Sequence, residues 1–285
     1  MESEERHLKY LYRSEIVTAP HTFTRGVEGP ACDAEGNLYA VNFERQGTIG
    51  KVTPDGEASV FIELPEGSIA NGIRFDSKGN MYMADYTMHN VWRYEMNTGK
   101  LEVFAHDDTM NQPNDICITS NDIIFASDPN WKDETGKLWR IMPDGTMTLM
   151  EDNMGTTNGI EVSPDEKYLY VNESRQRRIW RYDLSPEGEL SNKTLFYQFE
   201  DGSLDGVRCD AEGNLYQTRF EKGKVVVISP EGEQLTAIYV HGMKPTNVAF
   251  GGEDGKTVYV TIMDQGNVEK FRTEIPGRAF VMRNR

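Results

Sequence analysis

Short runs in which hydrophobic and polar residues alternate follow one another along the chain, and Gly, Asn, Asp and Pro separate them. One sequence pattern recurs six times. A polar residue, in most copies followed by Gly, precedes an apolar stretch, and a turn of the Asp-x-x-Gly-Asn type then leads into a second apolar run. Successive copies begin 42 to 47 residues apart, at Glu28, Asn71, Asn114, Asn158, Asp205 and Asn247. A period of this length indicates a repeat architecture.

Each copy predicts a β-hairpin, because alternation at a period of two is typical of strands and Gly and Asn supply the positive φ of tight turns. A second hairpin follows in most repeats, where Pro-Asp-Gly-like turns interrupt runs such as IGKVTPDGEASVF and LWRIMPDGTMTLM. Four strands in about 43 residues are typical of one propeller blade. The sequence therefore predicts an all-β, six-bladed β-propeller with four antiparallel strands per blade, as a single domain over residues 1–285.

The segment before the first repeat, LKYLYRSEIVT over residues 8–18, has a strand-like composition but no partner within its own repeat. An unpaired strand at the edge of a sheet exposes hydrogen-bonding groups that proteins usually cover. We therefore expect an N-terminal strand over residues 8–18 that completes the last blade and closes the ring.

The first strand of each propeller blade lines the central channel, so we expect one repeat position from all blades to meet at one height on the axis. Here this position carries two carboxylates and four amides: Glu28, Asn71, Asn114, Asn158, Asp205 and Asn247. Buried polar groups need partners, and hard divalent cations such as Ca²⁺ bind carboxylate and amide oxygens. A metal on the axis is therefore predicted. The alternative is that each Asn-Gly pair only caps a turn, which fits Glu28 least because Glu is a poor turn residue.

The net charge and the absence of known motifs reduce the number of partner and cofactor classes that fit this chain. With 30 Lys and Arg against 46 Asp and Glu, the net charge of −16 disfavours nucleic acid and anionic membranes. No leader-like start and no run of ~18 apolar residues occurs, which favours a cytoplasmic protein. Cys32, Cys117 and Cys209 have no CxxC spacing and are expected to be buried free thiols. No nucleotide-binding, phosphate-binding or Ser-nucleophile motif occurs, so no organic cofactor is expected.

Four motifs occur in order along the chain: VEGP at 27–30, QPND at 112–115, TNGIEVSPDEKYLYVNES from 157, and LDGVRCDAEGNLY at 204–216. In this set the chain resembles the senescence-marker-protein, gluconolactonase and luciferin-regenerating-enzyme group, over roughly residues 20–265. The resemblance implies a calcium-dependent lactonase type of enzyme. It implies one divalent metal, usually calcium and in some members zinc, magnesium or manganese.

Residue by residue, the resemblance implies that Glu28, Asn158 and Asp205 bind the metal. Asn114 is implied as a fourth ligand or as a substrate contact. Asp205 is further implied as the catalytic residue, acting as general base or positioning the attacking water. These are positions that the repeat independently assigns to the axis.

The resemblance also implies substrate contacts at Gln112, Asn114 and Trp131. Many sugar-lactonase relatives have Arg immediately before Pro-Asn-Asp, where it grips substrate oxygens, whereas Gln112 is a neutral amide. Trp131 lies in SDPNWKDE over 127–134, which is similar to the family's loop over the funnel mouth. Its ring could stack on a cyclic substrate, and packing between blades is the alternative.

Together these features predict a hydrolase that opens a small, sugar-derived lactone to its hydroxy acid, with the metal polarising the carbonyl and Asp205 acting on water. One alternative is an organophosphate or fluoride hydrolase, because related propellers perform that reaction with a similar calcium site. The other is a non-catalytic binding propeller of the NHL type, for which YMADYTMHNVWRYE at 82–95 is a local match.

Overall fold

Strands and short turns make up most of the protein in the computed structural model, which describes residues 2–284. Within these residues, 24 strands form six sheets of four strands each, and two helices lie near the chain ends. The predicted fold class, an all-β protein with the six four-stranded antiparallel blades of a six-bladed β-propeller, is confirmed. Neither helix of the described part of the chain has the length and apolar character that a membrane crossing requires.

The elements follow in chain order. Helix α1 is Glu2–Tyr10 and strand β1 is Glu15–Ile16. The next sheet has β2 Phe23–Cys32, β3 Leu38–Phe43, β4 Thr48–Val52 and β5 Ala58–Glu63. It is followed by β6 Ala70–Phe75, β7 Met81–Asp85, β8 Asn90–Glu95 and β9 Lys100–His106. Then come β10 Ile116–Ile118, β11 Ile124–Asn130, β12 Thr135–Ile141 and β13 Met147–Met154.

The second half continues the pattern. One sheet has β14 Thr157–Val162, β15 Tyr168–Glu173, β16 Arg178–Leu184 and β17 Leu190–Gln198. The next has β18 Ser203–Cys209, β19 Leu215–Phe220, β20 Lys224–Ile228 and β21 Gln234–Tyr239. The last three strands are β22 Pro245–Gly251, β23 Thr257–Ile262 and β24 Asn267–Arg272, and helix α2 is Arg278–Arg283.

The chain divides into two compact units. One unit is Leu64–Gly206 and contains the three sheets β6–β9, β10–β13 and β14–β17. The other unit joins Met1–Glu63 to Val207–Arg285. It contains the sheet β2–β5, most of the sheet β18–β21, and the sheet in which β1 joins β22–β24.

The Asp-x-x-Gly-Asn turns form because the Asp side chain replaces missing backbone partners. In three sheets the Asp Oδ1 accepts the N–H groups of the residues two and four positions later, at distances of 2.8–3.0 Å; the three acceptors are Asp33, Asp76 and Asp210. The glycine of each turn has a φ of 84–88°, which L-residues with a Cβ rarely adopt. The repeated motif therefore fixes where the first strand ends and the second begins.

Free cysteines pack in the core as expected. Cys32, Cys117 and Cys209 are buried and none forms a disulfide. Cys117 belongs to an apolar cluster with Leu138, Ile160 and other side chains from the sheets β10–β13 and β14–β17. Burial raises the pKa of the Cys32 thiol to about 12, so this thiol stays protonated and behaves as an apolar group.

The N-terminal segment differs from the expected strand over residues 8–18. Leu8–Tyr10 belong to α1, whose Glu, Arg, Leu and Lys residues favour a helix, and the strand is confined to β1. Tyr12 has a φ of 55°, which interrupts an extended chain, while its N–H donates to the carbonyl O of Arg272 at 2.8 Å. The N-terminus does complete the last sheet, because β1 pairs antiparallel with β24. The strand that does so is shorter than expected.

Gly72 marks a close approach between β6 and the segment before β10. A Cβ at this position would lie 2.9 Å from the carbonyl O of Asn114 and 2.9 Å from the Cα of Asp115. We expect Gly72→Ala to lower the free energy of unfolding by about 1–3 kcal/mol in denaturant titrations, because the strands must move apart. Gly79→Ala is the control: its new Cβ meets nothing within 4 Å and only the turn is strained. A loss at position 72 no larger than the loss at position 79 would contradict this.

Candidate functional site

The residues predicted for the metal and its surroundings occupy equivalent places in the sheets. Five of them lie within the first strand of their sheet, and Asn114 lies two residues before β10. In four of the first strands the pairing with the second strand is irregular at this position: β2, β6, β14 and β22. Such bulges redirect a side chain that regular pairing would turn into the sheet packing. The repeat and the backbone geometry therefore agree on which position is special.

Glu28 is buried, with 6% of its surface exposed, and has a neighbour at the equivalent repeat position. Its Oε2 accepts the Nδ2–H of Asn247 at 2.9 Å and also the N–H of Gly29. The Oδ1 of Asn247 accepts the N–H of Val248 at 2.9 Å, which turns the amide NH₂ towards Glu28. Asn247 therefore orients the Glu28 carboxylate and stabilises its charge.

A second pair is formed by Asn71 and Asn114. The Nδ2 of Asn71 donates to the Oδ1 of Asn114 at 3.1 Å and lies 3.3 Å from its carbonyl O. The N–H of Asn114 donates to the carbonyl O of Ser127 at 2.9 Å. Asn71, for which the sequence assigned no role, thus holds the side chain of a candidate site residue.

Asn158 and Asp205 are connected through a residue that sequence reasoning missed. Asn172 on β15 is fully buried; its Oδ1 accepts the N–H of Gly159 at 3.0 Å. Its Nδ2 donates to the carbonyl O of Asp205 at 2.6 Å. The signal available in the sequence was an Asn inside the otherwise apolar run YLYVN, where a polar side chain needs a specific partner.

The Oδ1 of Asn158 is buried, and within residues 2–284 it has no hydrogen-bond partner. Leaving such an oxygen without a hydrogen-bond partner costs about 1–3 kcal/mol, so a hydrogen-bond donor or a cation is expected to bind this oxygen. The candidate set of carboxylates and amides offers only oxygen ligands, which suits a hard divalent cation. No group of three or more His, Cys, Asp and Glu side chains in the described residues could hold a metal, and the candidate set does not depend on one.

Asp128 holds the segment that contains Gln112. The carboxylate is fully buried and accepts the N–H groups of Asn111 at 2.9 Å and Gln112 at 2.6 Å. The Trp139 indole donates to its other oxygen at 2.9 Å. Burial raises the pKa of Asp128, and these donors act in the opposite direction by stabilising the charged form. The sequence placed this residue in a loop motif but gave it no role.

Trp131 lies in the turn between β11 and β12 and is half-buried. The guanidinium of Arg175 lies 5.7 Å from the centre of its ring, in a cation–π contact. Arg175 Nη1 also donates to the carbonyl O of Trp131 at 2.8 Å and to Glu134 at 3.0 Å. Trp131 is thus fixed by polar contacts at a turn rather than packed within a sheet core.

Comparison with known proteins is consistent across sequence and structure. Residues 26–264 match a family model described as the SMP-30/Gluconolactonase/LRE-like region. The gluconolactonase of Zymomonas mobilis is 26% identical over 88% of this chain and 79% of its own length. The pentonolactonase XacC of Haloferax volcanii is 29% identical over 86% of this chain and 84% of its own. The calcium-binding protein regucalcin of Agrobacterium tumefaciens has the same fold, with a TM-score of 0.81, 22% identity and 94% and 96% coverage.

Two buried asparagines allow a direct test of which one lacks a partner in the folded protein. We expect Asn158→Leu to leave the free energy of unfolding unchanged or to raise it by about 1 kcal/mol in chelator, because it removes an unsatisfied oxygen. Asn172→Leu removes the hydrogen bonds to Gly159 and Asp205 and should lower the free energy of unfolding by about 1–3 kcal/mol. Denaturant unfolding in EDTA measures both. Equal losses for the two variants would contradict the assignment.

Proposed function

Because the chain belongs to the SMP-30/gluconolactonase/LRE-like family, we propose that it is a metal-dependent lactonase that opens a small, sugar-derived lactone to its hydroxy acid. The family match spans most of the chain, and relatives named gluconolactonase and pentonolactonase align with over three quarters of their own length. These relatives support a sugar-derived lactone as the substrate class. The metal-dependent part of the proposal is supported by Asn158, whose buried Oδ1 has no hydrogen-bond partner within residues 2–284.

The proposed metal ligands are Glu28, Asn158 and Asp205, with Asn114 as a fourth ligand or as a substrate contact. Calcium is the first candidate, since these ligands are all oxygens, and zinc, magnesium and manganese are the alternatives. A calcium-binding protein is also among the structural neighbours. When bound, such a cation supplies Lewis-acid polarisation of the lactone carbonyl.

The protein's own side chains divide the remaining work. Asp205 is partly exposed, and its backbone is held by Asn172, so its carboxylate is proposed to bind the attacking water and to take its proton. The hydroxyl of that water forms the new bond to the acyl carbon while the bond to the ring oxygen breaks. Asp205 then returns the proton to the ring oxygen, which leaves as the hydroxyl of a hydroxy acid.

Substrate recognition is proposed to involve Gln112, Asn114 and Trp131. The side-chain amide of Gln112 both donates and accepts hydrogen bonds, so it matches the hydroxyl groups of a neutral sugar lactone. It cannot form the bidentate ion pair that Arg makes with an anionic group. We therefore propose a neutral hydroxylated lactone as the substrate.

Chelation tests the proposal. We expect EDTA-treated protein to lose turnover of a panel of aldono-γ- and δ-lactones, followed by acid release in a pH-indicator assay, and Ca²⁺ to restore it. Asp205→Asn should lower kcat by about 10²–10⁴-fold, the contribution of general acid–base catalysis. Asp152→Asn, a change to an exposed carboxylate in the same unit, is the control and should keep full activity.

Full turnover by metal-free protein would overturn the metal-dependent mechanism. Release of fluoride or phenol from organophosphates, without turnover of any lactone, would overturn the substrate class.

A further inference from the structure

Three buried carboxylates in the unit Leu64–Gly206 lie at or near the end of the second strand of a sheet. They are Asp85, Asp128 and Glu173, and all are at most 1% exposed. Each accepts an N–H from the segment that enters the first strand of its own sheet: Ile69, Asn111 with Gln112, and Gly155, respectively. The same device thus recurs in three sheets, but the segments that it holds have different roles.

Of these three carboxylates, Asp128 is the one that binds directly to a proposed substrate-contact residue, Gln112. Gln112 donates to Asp128 at 2.6 Å, and Asn114 donates to the carbonyl O of the adjacent Ser127 at 2.9 Å. Only Pro113 lies between the two anchored residues, and its ring fixes φ and restricts Gln112 as well. The side chains of Gln112 and Asn114 are therefore attached to a backbone that is anchored on both sides of the rigid Pro113.

Asp85 offers a natural comparison. It is as buried as Asp128 and also accepts an indole N–H, from Trp92 at 2.9 Å. Its contact to Ile69 is longer, at 3.3 Å, and Ile69 N–H also donates to the Thr87 hydroxyl at 2.9 Å. The carbonyl O of Ile69 also accepts the N–H of Tyr86 at 3.1 Å, so loss of the Asp85 carboxylate leaves Ile69 anchored through its backbone. The backbone N–H groups of Asn111 and Gln112 both depend on the Asp128 carboxylate.

We propose that Asp128 is a positioning residue for lactone hydrolysis: it fixes the backbone from which Gln112 and Asn114 reach the substrate. This inference rests on the proposed function. Asp128 acts through the segment that it holds, and the charge of its carboxylate is what lets it accept several N–H groups at once. An amide at this position would turn an NH₂ group towards other donors.

Asp128→Asn and Asp85→Asn test the proposal in the full-length protein with saturating Ca²⁺. We expect Asp128→Asn to raise KM and to lower kcat/KM by about 10–100-fold, the range for residues that orient a site from behind. Amide hydrogen exchange should become faster at Asn111, Gln112 and Asn114. Asp85→Asn should keep kcat/KM within about threefold of the wild-type value, even if its melting temperature falls as much as that of Asp128→Asn.

Equal kinetic losses in the two variants would overturn the proposal, because they would follow from stability alone. Unchanged kcat/KM, or unchanged exchange at Asn111, Gln112 and Asn114, in Asp128→Asn would also overturn it. A wild-type protein that turns over no lactone contradicts the proposed function instead. Exchange at residues 111–114 then decides whether Asp128 anchors this segment.

Discussion

Burial of polar side chains at one repeat position, in or just before the first strand of each sheet, is the constraint on which the rest of the structure depends. A carboxylate or amide in this place must find a partner, or its desolvation is not compensated. The Oε2 of Glu28 accepts the amide N–H of Asn247, and the Oδ1 of Asn114 accepts the amide N–H of Asn71. The Oδ1 of Asn158 differs from these two oxygens, because it has no hydrogen-bond partner within the described residues. The same repeat position thus carries oxygens that are hydrogen-bonded within the protein and an oxygen that is available to bind a ligand.

The backbone supports this layer in two ways. Register irregularities in first strands such as β2 and β14 turn the special side chain away from regular sheet packing. Buried groups on the second strand, Asn172 and Asp128 among them, then hold the chain beside it. A site built on strands with such support is more rigid than one built on loops alone, which is what precise placement of reacting groups requires.

Much of the fold could be predicted because it is written in local periodicity. Alternating residues, the Asp-x-x-Gly-Asn turn and its spacing determine hairpins, and six repeats leave little choice of architecture. The N-terminal segment was harder, since a helix and a strand compete there and contact with β24 decides where each ends. Helix α2 has no capping side chain at its start, so the sequence lacks the N-cap signal that would predict this helix.

The sequence proposes candidate site residues only where a residue type recurs at the same repeat position. Glu28, Asn158 and Asp205 stand at one repeat position, which the sequence alone displays. The sequence does not show which groups Asn172 and Asp128 contact, because their partners are backbone groups that the fold brings near them from 13 to 33 residues away along the chain. The residues proposed to contact a substrate belong to sequence motifs, whereas the residues that hold these motifs in place can be identified only in the folded chain.

The central claim is that one oxygen-seeking cation binds through Glu28, Asn158 and Asp205. The most direct measurement is anomalous scattering from crystals of the chelator-treated protein soaked in Mn²⁺ and in Ca²⁺. The account predicts a single strong peak at about 2.0–2.6 Å from side-chain oxygens of all three residues. A peak bound elsewhere, or none at these residues under saturating metal, would contradict it.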